Sequence, residues 1–587
     1  PQKRPITSRA ALLLCLLPSL PSAVHPFSVT GRRVATTTSP QRLVRKWRLG
    51  ASAIGAAADD DTYDVAIIGS GPASCSLAAL LAASPSSPRV VVLSKFADKR
   101  WIPNYGTWTE EWAALDELYA ANGVPGLMEN GVDTKWADTD CFFGENGDGK
   151  IAQPEGNFRR TLGREYIRVS REGLKDIFFG SSDEDRGYDV IRDDALGAAI
   201  NTNIYEPAGS VSFASRHTEL SLKESGRKVR AKIVVDGTGA ETSFTIRDGR
   251  ESEGYQIAYG AECRVEGEGV TAKKVGDYDR KKMTLFDYRS EAWRNTNGLK
   301  EESVVGCPTF NYVMPLSDDV IFFEETSLVA NPAVSFQECK DRLMARLASQ
   351  GVTITEILEE EFCYIPMGGD VPRKGQRIVP IGAAAGVVHP STGYQVARML
   401  SSNVDVCDQI VKELESGAEF DPDAAAARII GRTWTPAAVR QRNFAVFGGD
   451  FLMKQDVNGL KGFFSGFFKL ELGMWAGFLA GWKNLPNNQF HDGWWPRLVF
   501  GAIFVTKLPP SVAIDMAASI AAYTFNGLDL IQSVTPIAGK PDTFDESFKF
   551  RSNKGDVAAK NEAQEMMCAC DRCEEATDTN TAEVAAT

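Results

Sequence analysis

The sequence predicts an α/β protein with a helical C-terminal region, and two observations support this prediction. Short β-branched strands that end in glycine turns recur through the first two thirds of the 587 residues. From Gly417 onward the pattern changes, and residues 421–428 and 434–447 have the composition of helices. A chain of this length is too long for one simple core, so two or more domains are expected.

The clearest strand-and-turn unit is YDVAIIGSGPASCSLAAL at residues 63–80. An apolar strand leads into Gly69 and Gly71, and a helix follows. In this context the glycines predict a dinucleotide-binding turn rather than an ordinary tight turn. Gly71 lets the backbone approach a pyrophosphate, which the helix N–H groups then face. Ser74 replaces the third glycine and is small enough for close helix–strand packing.

The second strand, residues 89–93, departs from this fingerprint. It should end in an acid that holds a ribose hydroxyl. Ser94 and Lys95 stand there instead, and the nearest acid is Asp98. We therefore expect Ser94 or a loop residue to make the ribose contact, or that contact to be weak.

Two further strands end in glycine turns, after residues 228–235 and 377–381, and a helix is expected to begin at the second of these turns. All three turns could converge on one ligand, as in flavin proteins whose dinucleotide domain is assembled from separated segments. This suggests FAD, with a substrate domain inserted between the segments. The residues of the two later turns are Asp236, Gly237, Gly239, Gly382 and Gly386.

Charge and cysteine content exclude two kinds of partner. The net charge of −13 argues against nucleic acid, because a phosphate backbone requires a basic surface. Most of the 11 cysteines are scattered without metal spacing. Cys568, Cys570 and Cys573 cluster near the end but lack the fourth ligand of a structural zinc site. No metal site is predicted, and a solvated tail is favoured over a redox switch or metal trap.

The first 58 residues contain no acidic residue and nine basic ones. Residues 1–24 have the short apolar core of a signal peptide, and residues 25–58 have the composition of a transit peptide. This two-part leader resembles those of algae whose plastids lie inside extra membranes, and it predicts a plastid protein. A low-complexity terminus without a targeting role is the alternative.

Residues 416–540 are expected to form a helical C-terminal domain, and residues 541–587 a disordered tail. The aromatic stretch at 463–482 is either the core of that domain or a surface that dips into a membrane interface. No apolar run in this region reaches the length of a confident membrane span.

Taken together, the motifs resemble plant and algal lycopene cyclases over most of residues 62–525. Their combination in this order is specific, whereas a single motif such as VDGTG is not. Besides the first glycine turn, the motifs are PNYGTW (103–108), RVSREGLK (168–175), VDGTG (235–239), GYQIAYG (254–260), MTLFDYR (283–289), PTFNYVMPLSDDVIFFEETSLVA (308–330), IPMGG (365–369), HPSTGYQVAR (389–398), WTPAAVRQRNFAVFG (434–448) and FFSGFFKLELGMWAGFL (463–479).

The resemblance implies a flavin monooxygenase-like fold in which FAD-binding and substrate domains interleave over residues 59–415. It also implies an enzyme that closes the ends of lycopene into β rings using reduced FAD, with no net redox change and NADPH as the electron source. Lycopene and related carotenoids are then the substrates, and the enzyme attaches peripherally to a plastid membrane. Arg168 and Gly393 join the cofactor site through their motifs.

Ring closure requires a proton donor to an isolated alkene. A carboxylic acid kept neutral by apolar surroundings can serve, because burial raises its pKa. Glu324 and Glu325 follow an apolar strand, and adjacent side chains on a strand face opposite sides. One of the two should therefore face the cavity, and Glu324 is the preferred donor.

Two further residues are catalytic candidates. Asp287, between aromatic residues in a strand, could support a cation or accept the departing proton; a salt bridge to Arg289 or Arg398 is an equal alternative. His389 could lie beside the flavin or be a satisfied turn residue.

Some features leave the product open. Tyr288 in MTLFDYR is more typical of ε-ring enzymes, HPSTGY is more typical of β-ring enzymes, and Ile167 stands where plant relatives have glycine. An ε-cyclase or an enzyme acting on epoxy-carotenoids therefore remains an alternative. A flavin monooxygenase on an apolar substrate is disfavoured by Ala383, where such enzymes usually carry aspartate. A pigment-binding protein without turnover is a third alternative.

Overall fold

The computed structural model describes residues 62–143, 159–180, 186–195, 211–213, 216–247, 254–289, 307–416, 420–526 and 529–536. The expected signal peptide, transit peptide and C-terminal tail, with its three clustered cysteines, lie outside the described residues.

Strands and helices are numbered in chain order. The strands are β1 Thr62–Ile68, β2 Val90–Leu93, β3 Gly106–Trp108, β4 Val132–Trp136, β5 Thr139–Phe142, β6 Arg159–Thr161, β7 Tyr166–Val169, β8 Asp189–Ile191, β9 Val211–Phe213, β10 Thr218–Ser221, β11 Lys228–Asp236, β12 Gly254–Glu266, β13 Lys274–Val275, β14 Tyr278–Asp279, β15 Met283–Asp287, β16 Thr309–Pro315, β17 Val320–Ser327, β18 Thr353–Met367 and β19 Ile378–Pro380. The helices are α1 Pro72–Ala83, α2 Thr109–Ala121, α3 Leu127–Asn130, α4 Arg171–Phe179, α5 Phe336–Ser349, α6 Val396–Leu414, α7 Pro422–Thr433, α8 Pro436–Met453, α9 Val457–Phe467, α10 Leu472–Ala480, a 3₁₀ turn Asn488–Phe490, α11 Trp494–Lys507, α12 Pro510–Asn526 and α13 Asp529–Val534.

The first sheet is largely parallel. Its strand order is β8-β2-β1-β11-β10-β9, with β19 also paired to β11. The pairs β8–β2, β2–β1, β1–β11 and β11–β19 run parallel, whereas β10 and β9 extend the sheet in antiparallel fashion. Every residue of β2 is buried, as expected of a parallel strand covered on both faces.

The second sheet is mixed and lies in the segment expected to form the inserted domain. Its order is β18-β12-β17-β16-β15-β5-β6, and only the β15–β5 pair is parallel. One face packs against α5 through residues such as Phe323 and Leu343. The other face contributes Phe310 and Phe322 to a large aromatic cluster shared with the C-terminal helices. The two faces therefore have different partners.

The aromatic stretch at residues 463–482 divides into α9 and α10. Phe463, Phe464, Phe467 and Phe478 are buried and pack against one another and against the second sheet. Here the aromatic side chains form the core of the helical region. Among the described helices, none is both long and apolar enough to cross a bilayer.

The helix expected at the third glycine turn is not there. Residues 382–395 form consecutive turns, and α6 begins only at Val396. Gly382, Gly386 and Gly393 have φ values of +57°, +69° and +72°. This left-handed backbone interrupts a right-handed helix, so the prediction of a helix start at residues 382–386 was wrong.

Candidate active site

The three glycine turns meet at one edge of the first sheet. Strands β1, β11 and β19 are parallel neighbours, so their carboxyl ends lie side by side. A Cβ atom added to Gly69, whose φ is +95°, would lie 2.8 Å from the carbonyl oxygen of Gly237. A Cβ atom added to Gly382 would lie 2.8 Å from the Cβ of Ala73 in α1. The turns are therefore in close contact, as the sequence predicted.

Open space remains above this edge. A Cβ atom added to Gly71, Gly239 or Gly386 would meet nothing within 4 Å. Helix α1 starts directly after Gly71, and among the described residues no side chain caps its first N–H groups. Unpaired N–H groups at a helix start attract anions such as a pyrophosphate. The donors and the space fit a dinucleotide.

Three polar residues assigned to the cofactor shape these turns. Ser74 packs on the second turn, where a Cβ atom on Gly237 would lie 2.1 Å from the Ser74 Oγ. At the end of β2, the Ser94 Oγ accepts a hydrogen bond from the Ser70 Oγ at 3.0 Å. The buried Asp236 carboxylate organises the second turn by accepting hydrogen bonds from Thr238 N, Thr238 Oγ1, Thr242 Oγ1 and Thr245 Oγ1.

Glu324 lies on the face of the second sheet that carries the aromatic cluster. It is half-buried, and in the part of the chain that the structure describes its carboxyl has no hydrogen-bond or ion-pair partner. Burial raises the pKa of Glu324 to about 8, and the charge of Glu361 adds to the effect. At neutral pH this side chain is therefore a protonated acid in largely apolar surroundings.

Aromatic side chains surround this acid. Tyr312 lies directly opposite Glu324 on β16, and its hydroxyl lies 3.1 Å from the hydroxyl of Tyr166. Tyr166 stacks edge-on against Trp108, with ring centroids 4.9 Å apart. Tyr312 packs against the same aromatic cluster as Ala383 of the third glycine turn. The acid and the glycine turns thus border one aromatic region.

Glu325 points to the opposite face and is fully buried against α5. Its Oε2 accepts a hydrogen bond from Arg346 Nε at 2.9 Å, and its Oε1 accepts one from Thr309 Oγ1 at 2.6 Å. The two adjacent glutamates therefore have different surroundings: Glu325 is bound by an arginine and a threonine, and Glu324 faces the aromatic cluster.

Asp287 shares that buried layer. Its carboxylate accepts hydrogen bonds from Arg289 Nε at 2.9 Å and Tyr278 Oη at 2.8 Å. Although burial acts to raise the pKa of Asp287, the guanidinium groups of Arg289 and Arg346 hold it below its usual value. The salt bridge to Arg289, one of the two alternatives for this residue, is present in the structure.

The remaining candidates, Arg168, His389 and Gly393, are each held by contacts with other residues. Arg168 pairs with Glu262 at 2.6 Å and with Asn104. His389 is buried in its turn beside Phe478, with Nδ1 accepting from Ser391 N at 3.3 Å, and burial holds its pKa well below the usual value. A Cβ atom on Gly393 would lie 1.9 Å from the Gln256 Oε1, so this glycine allows its loop to approach β12.

Sequence reasoning missed Glu361 and Gly260. Both lie in the same transverse row of the sheet as Glu324, although they come from strands far apart in the chain. The alternation in residues 359–363 (EEEFC) places Glu361 and Cys363 on one face and Glu360 on the other. That alternation marks two acids of opposite orientation, but it does not indicate which strand lies beside them.

Comparison with known proteins points to one family. The family model described as "Lycopene cyclase protein" matches residues 64–489. Among curated proteins, a chloroplastic lycopene beta cyclase of an Oncidium hybrid cultivar is 34% identical over 72% of this chain and 79% of its own length. The chloroplastic lycopene beta cyclase of Arabidopsis thaliana is 33% identical over 72% of this chain and 75% of its own. A chloroplastic neoxanthin synthase of Solanum lycopersicum is 32% identical over 71% of this chain and 74% of its own.

Solved structures were compared as well. A geranylgeranyl bacteriochlorophyll reductase-like protein of Thermoplasma acidophilum aligns with a TM-score of 0.48 and 14% identity, covering 68% of this chain and 90% of its own. The anhydrotetracycline hydroxylase OxyS of Streptomyces rimosus aligns with a TM-score of 0.45 and 14% identity, covering 76% of each chain. With the family model matching 64–489 and relatives above 30% identity over most of both chains, this chain belongs to the lycopene cyclase family.

Proposed function

We propose that this protein is a lycopene β-cyclase, an isomerase that closes the ends of a linear carotenoid into β rings without net oxidation or reduction. The observation that carries the proposal is Glu324, a half-buried carboxyl with a pKa raised to about 8 that lies among aromatic rings. Its surroundings keep the proton on the acid at neutral pH, which is what a donor to an unactivated alkene requires.

The reaction begins when the Glu324 proton passes to the terminal double bond of the substrate. The tertiary cation that results is attacked by the neighbouring double bond, and the new ring then loses a proton, so that no proton is consumed overall. Aromatic faces stabilise such a cation and exclude the water that would trap it. Tyr312 lies opposite this acid on β16, and Tyr166 and Trp108 pack in sequence behind Tyr312.

We propose FAD as the cofactor, held at the three glycine turns. Gly71, Gly239 and Gly386 leave the room it requires, and the start of α1 supplies N–H groups for its pyrophosphate. When bound in its reduced form, FAD would supply negative charge that stabilises a nearby cation. NADPH is the proposed source of the electrons that keep it reduced.

We further propose a plastid location and peripheral attachment to a membrane. The relatives named above are chloroplastic, and residues 1–58 have the composition of an import leader, of the two-part kind used by complex algal plastids. Exposed apolar side chains occur on α11 and α12, where Trp495 is 58% exposed and Ile514 is 69% exposed. Tryptophan favours the interface of a bilayer, the phase in which the hydrocarbon substrate dissolves.

Expression of the chain in lycopene-accumulating bacteria tests the reaction. We expect β-carotene to replace lycopene on chromatography, and Glu324→Gln to abolish the conversion. The matched control is Glu360→Gln, because Glu360 lies on the opposite face and bonds Tyr259 and Lys340. Soluble, flavin-loaded protein that leaves lycopene unchanged would contradict the proposal.

The same extracts separate the alternatives. ε-Carotene or δ-carotene would identify an ε-cyclase, and conversion of epoxy-carotenoids alone would identify an activity like that named for the tomato neoxanthin synthase. NADPH consumption matched to oxygen uptake would identify a monooxygenase. Pigment binding that neither Glu324→Gln nor Glu325→Gln alters, with no new product, would identify a binding protein.

A further inference from the structure

A second carboxyl group lies in the same transverse row as Glu324. Tyr312, Glu324, Gly260 and Glu361 are directly opposite one another on β16, β17, β12 and β18. Directly opposed residues project from the same face of a sheet. Since Gly260 has no side chain, nothing on β12 stands between the two glutamates.

The space above Gly260, where other residues would carry a side chain, is filled by its neighbours. A Cβ atom added there would lie 2.8 Å from the Cγ of Glu361 and 2.8 Å from the ring of Phe322. The Glu361 side chain therefore leans over β12 into the space that any other residue would fill. This brings it toward Glu324, and the charges of the two groups influence each other.

The two carboxyl groups differ in their partners. Glu361 is 4% exposed, and its Oε2 accepts hydrogen bonds from the backbone N of Asn104 at 2.8 Å and from its Nδ2 at 2.6 Å. Its Oε1 lies 3.3 Å from the Sγ of Cys363. Asn104 is itself fixed by Arg168, whose Nε donates to its Oδ1 at 2.9 Å. Donors directed at a carboxylate favour its ionised form, and Glu324 has none.

Burial raises the pKa of Glu361 as well as that of Glu324. Two carboxyl groups that share a dry site do not both ionise, and the one that accepts more hydrogen bonds ionises first. Because Asn104 donates two hydrogen bonds to Glu361, that group takes the negative charge and Glu324 keeps the proton.

The cations nearest the pair are engaged mainly by other carboxylates, although the charge of Arg171 acts to lower the pKa of Glu361. Arg171, which faces Glu361 from α4, is engaged by both carboxylate oxygens of Glu359 at 2.6 and 2.8 Å. Arg168 is engaged by Glu262. The titratable and charged groups that face the pair from the surrounding elements are Tyr105, Tyr166, Arg168, Arg171, Glu262, Tyr312 and Cys363.

We propose that Glu361 is a positioning residue for the proton donor: held ionised by Asn104 and admitted by the gap at Gly260, it keeps Glu324 protonated at neutral pH. This inference rests on the proposed function of Glu324 as the donor. It also gives the Glu324 carboxylate, once it has lost its proton, a like-charged neighbour. That neighbour makes the carboxylate a stronger base and favours the return of a proton from the ring.

The test is the Glu361→Gln variant of the flavin-loaded enzyme, since glutamine keeps the shape and an acceptor for Asn104 but removes the charge. We expect the alkaline limb of the pH–rate profile to move down by about one pH unit, so that the rate at pH 8 falls about fivefold. At pH 6 the rate should stay close to that of the wild type. Glu360→Gln, the matched control, should leave the profile unchanged.

A second readout does not depend on turnover. The infrared carbonyl band of protonated Glu324, identified by its absence in Glu324→Gln, should titrate at lower pH in Glu361→Gln than in the wild type. An unchanged titration in folded Glu361→Gln overturns the inference. If the wild type fails to cyclise lycopene but the band still shifts, the proposed function fails while the coupling of the two acids stands.

Gly260→Ala provides an independent perturbation, because its methyl group would occupy the space between the two glutamates. It should shift the Glu324 band in the same direction as Glu361→Gln. A Gly260→Ala protein with native circular dichroism and an unshifted band would also overturn the inference.

Discussion

Glu325→Gln is expected to weaken the fold by about 3 kcal/mol while leaving cyclisation largely intact in the molecules that remain folded. The neighbouring change, Glu324→Gln, is expected to do the reverse. The two glutamates are adjacent in sequence, but they face opposite sides of β17 and meet different partners. The same chemical change therefore separates a structural carboxylate from the proposed proton donor.

The magnitude follows from the contacts of Glu325. Its two oxygens accept hydrogen bonds from Arg346 at 2.9 and 3.0 Å, and neither side chain is more than 2% exposed. Removing one partner of a buried ion pair costs about 3–5 kcal/mol, because the other charge is left unpaired. Here Asp287 lies 3.7 Å from Arg346 and partly compensates it, so the lower end of that range applies.

Denaturant unfolding of the flavin-loaded proteins measures this effect. Glu325→Gln should unfold at a clearly lower denaturant concentration than the wild type. Glu360→Gln loses a partly exposed pair with Lys340 but keeps an acceptor for the Tyr259 hydroxyl, so it should change the free energy of unfolding by about 1 kcal/mol or less. The reasoning is refuted if Glu325→Gln unfolds with the wild type yet loses cyclisation, while Glu324→Gln retains it.

Three further results are expected. The pKa of Glu324 is raised to about 8 in the folded state, so this group ionises at lower pH in the unfolded chain than in the folded protein. The free energy of unfolding of the wild type should therefore fall between pH 5 and pH 8 by up to about 1.4 kcal/mol per pH unit. Melting curves recorded over this range should show a smaller loss for Glu324→Gln. Gly71→Ala should lower the amount of flavin retained after gel filtration at least tenfold. Gly431→Ala is the control, because a Cβ atom there also meets nothing within 4 Å, and it should retain flavin like the wild type. Equal retention by the two variants would argue against the glycine turns as the FAD site. Joint replacement of Trp494 and Trp495 by serine should lower the fraction of protein that sediments with phosphatidylcholine–phosphatidylglycerol vesicles. Leu358→Ser, at another exposed site, should leave that fraction unchanged. An unchanged fraction in the double variant would exclude α11 as the membrane contact.

Local sequence order was sufficient to predict that the three glycine turns lie together at one edge of the first sheet. Each of the three turns follows a short apolar strand, and parallel strands bring their carboxyl ends to one edge whatever the length of chain between them. Alternation along β17 was likewise enough to predict that only one of Glu324 and Glu325 faces the aromatic side. These predictions depend on residues a few positions apart.

Predictions that required distant residues could not be made in the same way. Glu361 lies in the same row as Glu324 because β12 lies between β17 and β18 and carries a glycine at that row, a register that no local pattern specifies. The helix expected at residues 382–386 failed because glycines with left-handed backbone were assigned to a helix start. The aromatic run at 463–482 had the composition of a core or of a membrane surface, and only its packing partners distinguish the two.

The ion pair between Glu325 and Arg346 also guards against a misaligned strand. Sliding β17 by one residue so that Glu325 took the place of Glu324 would turn Glu325 to the aromatic face and bring Thr326 to the place beside Arg346. Arg346 would then lose its carboxylate partner inside a buried layer, so the fold penalises this misalignment. The contacts of Glu325 on the α5 side thereby fix the register of β17, and with it which glutamate faces the aromatic side.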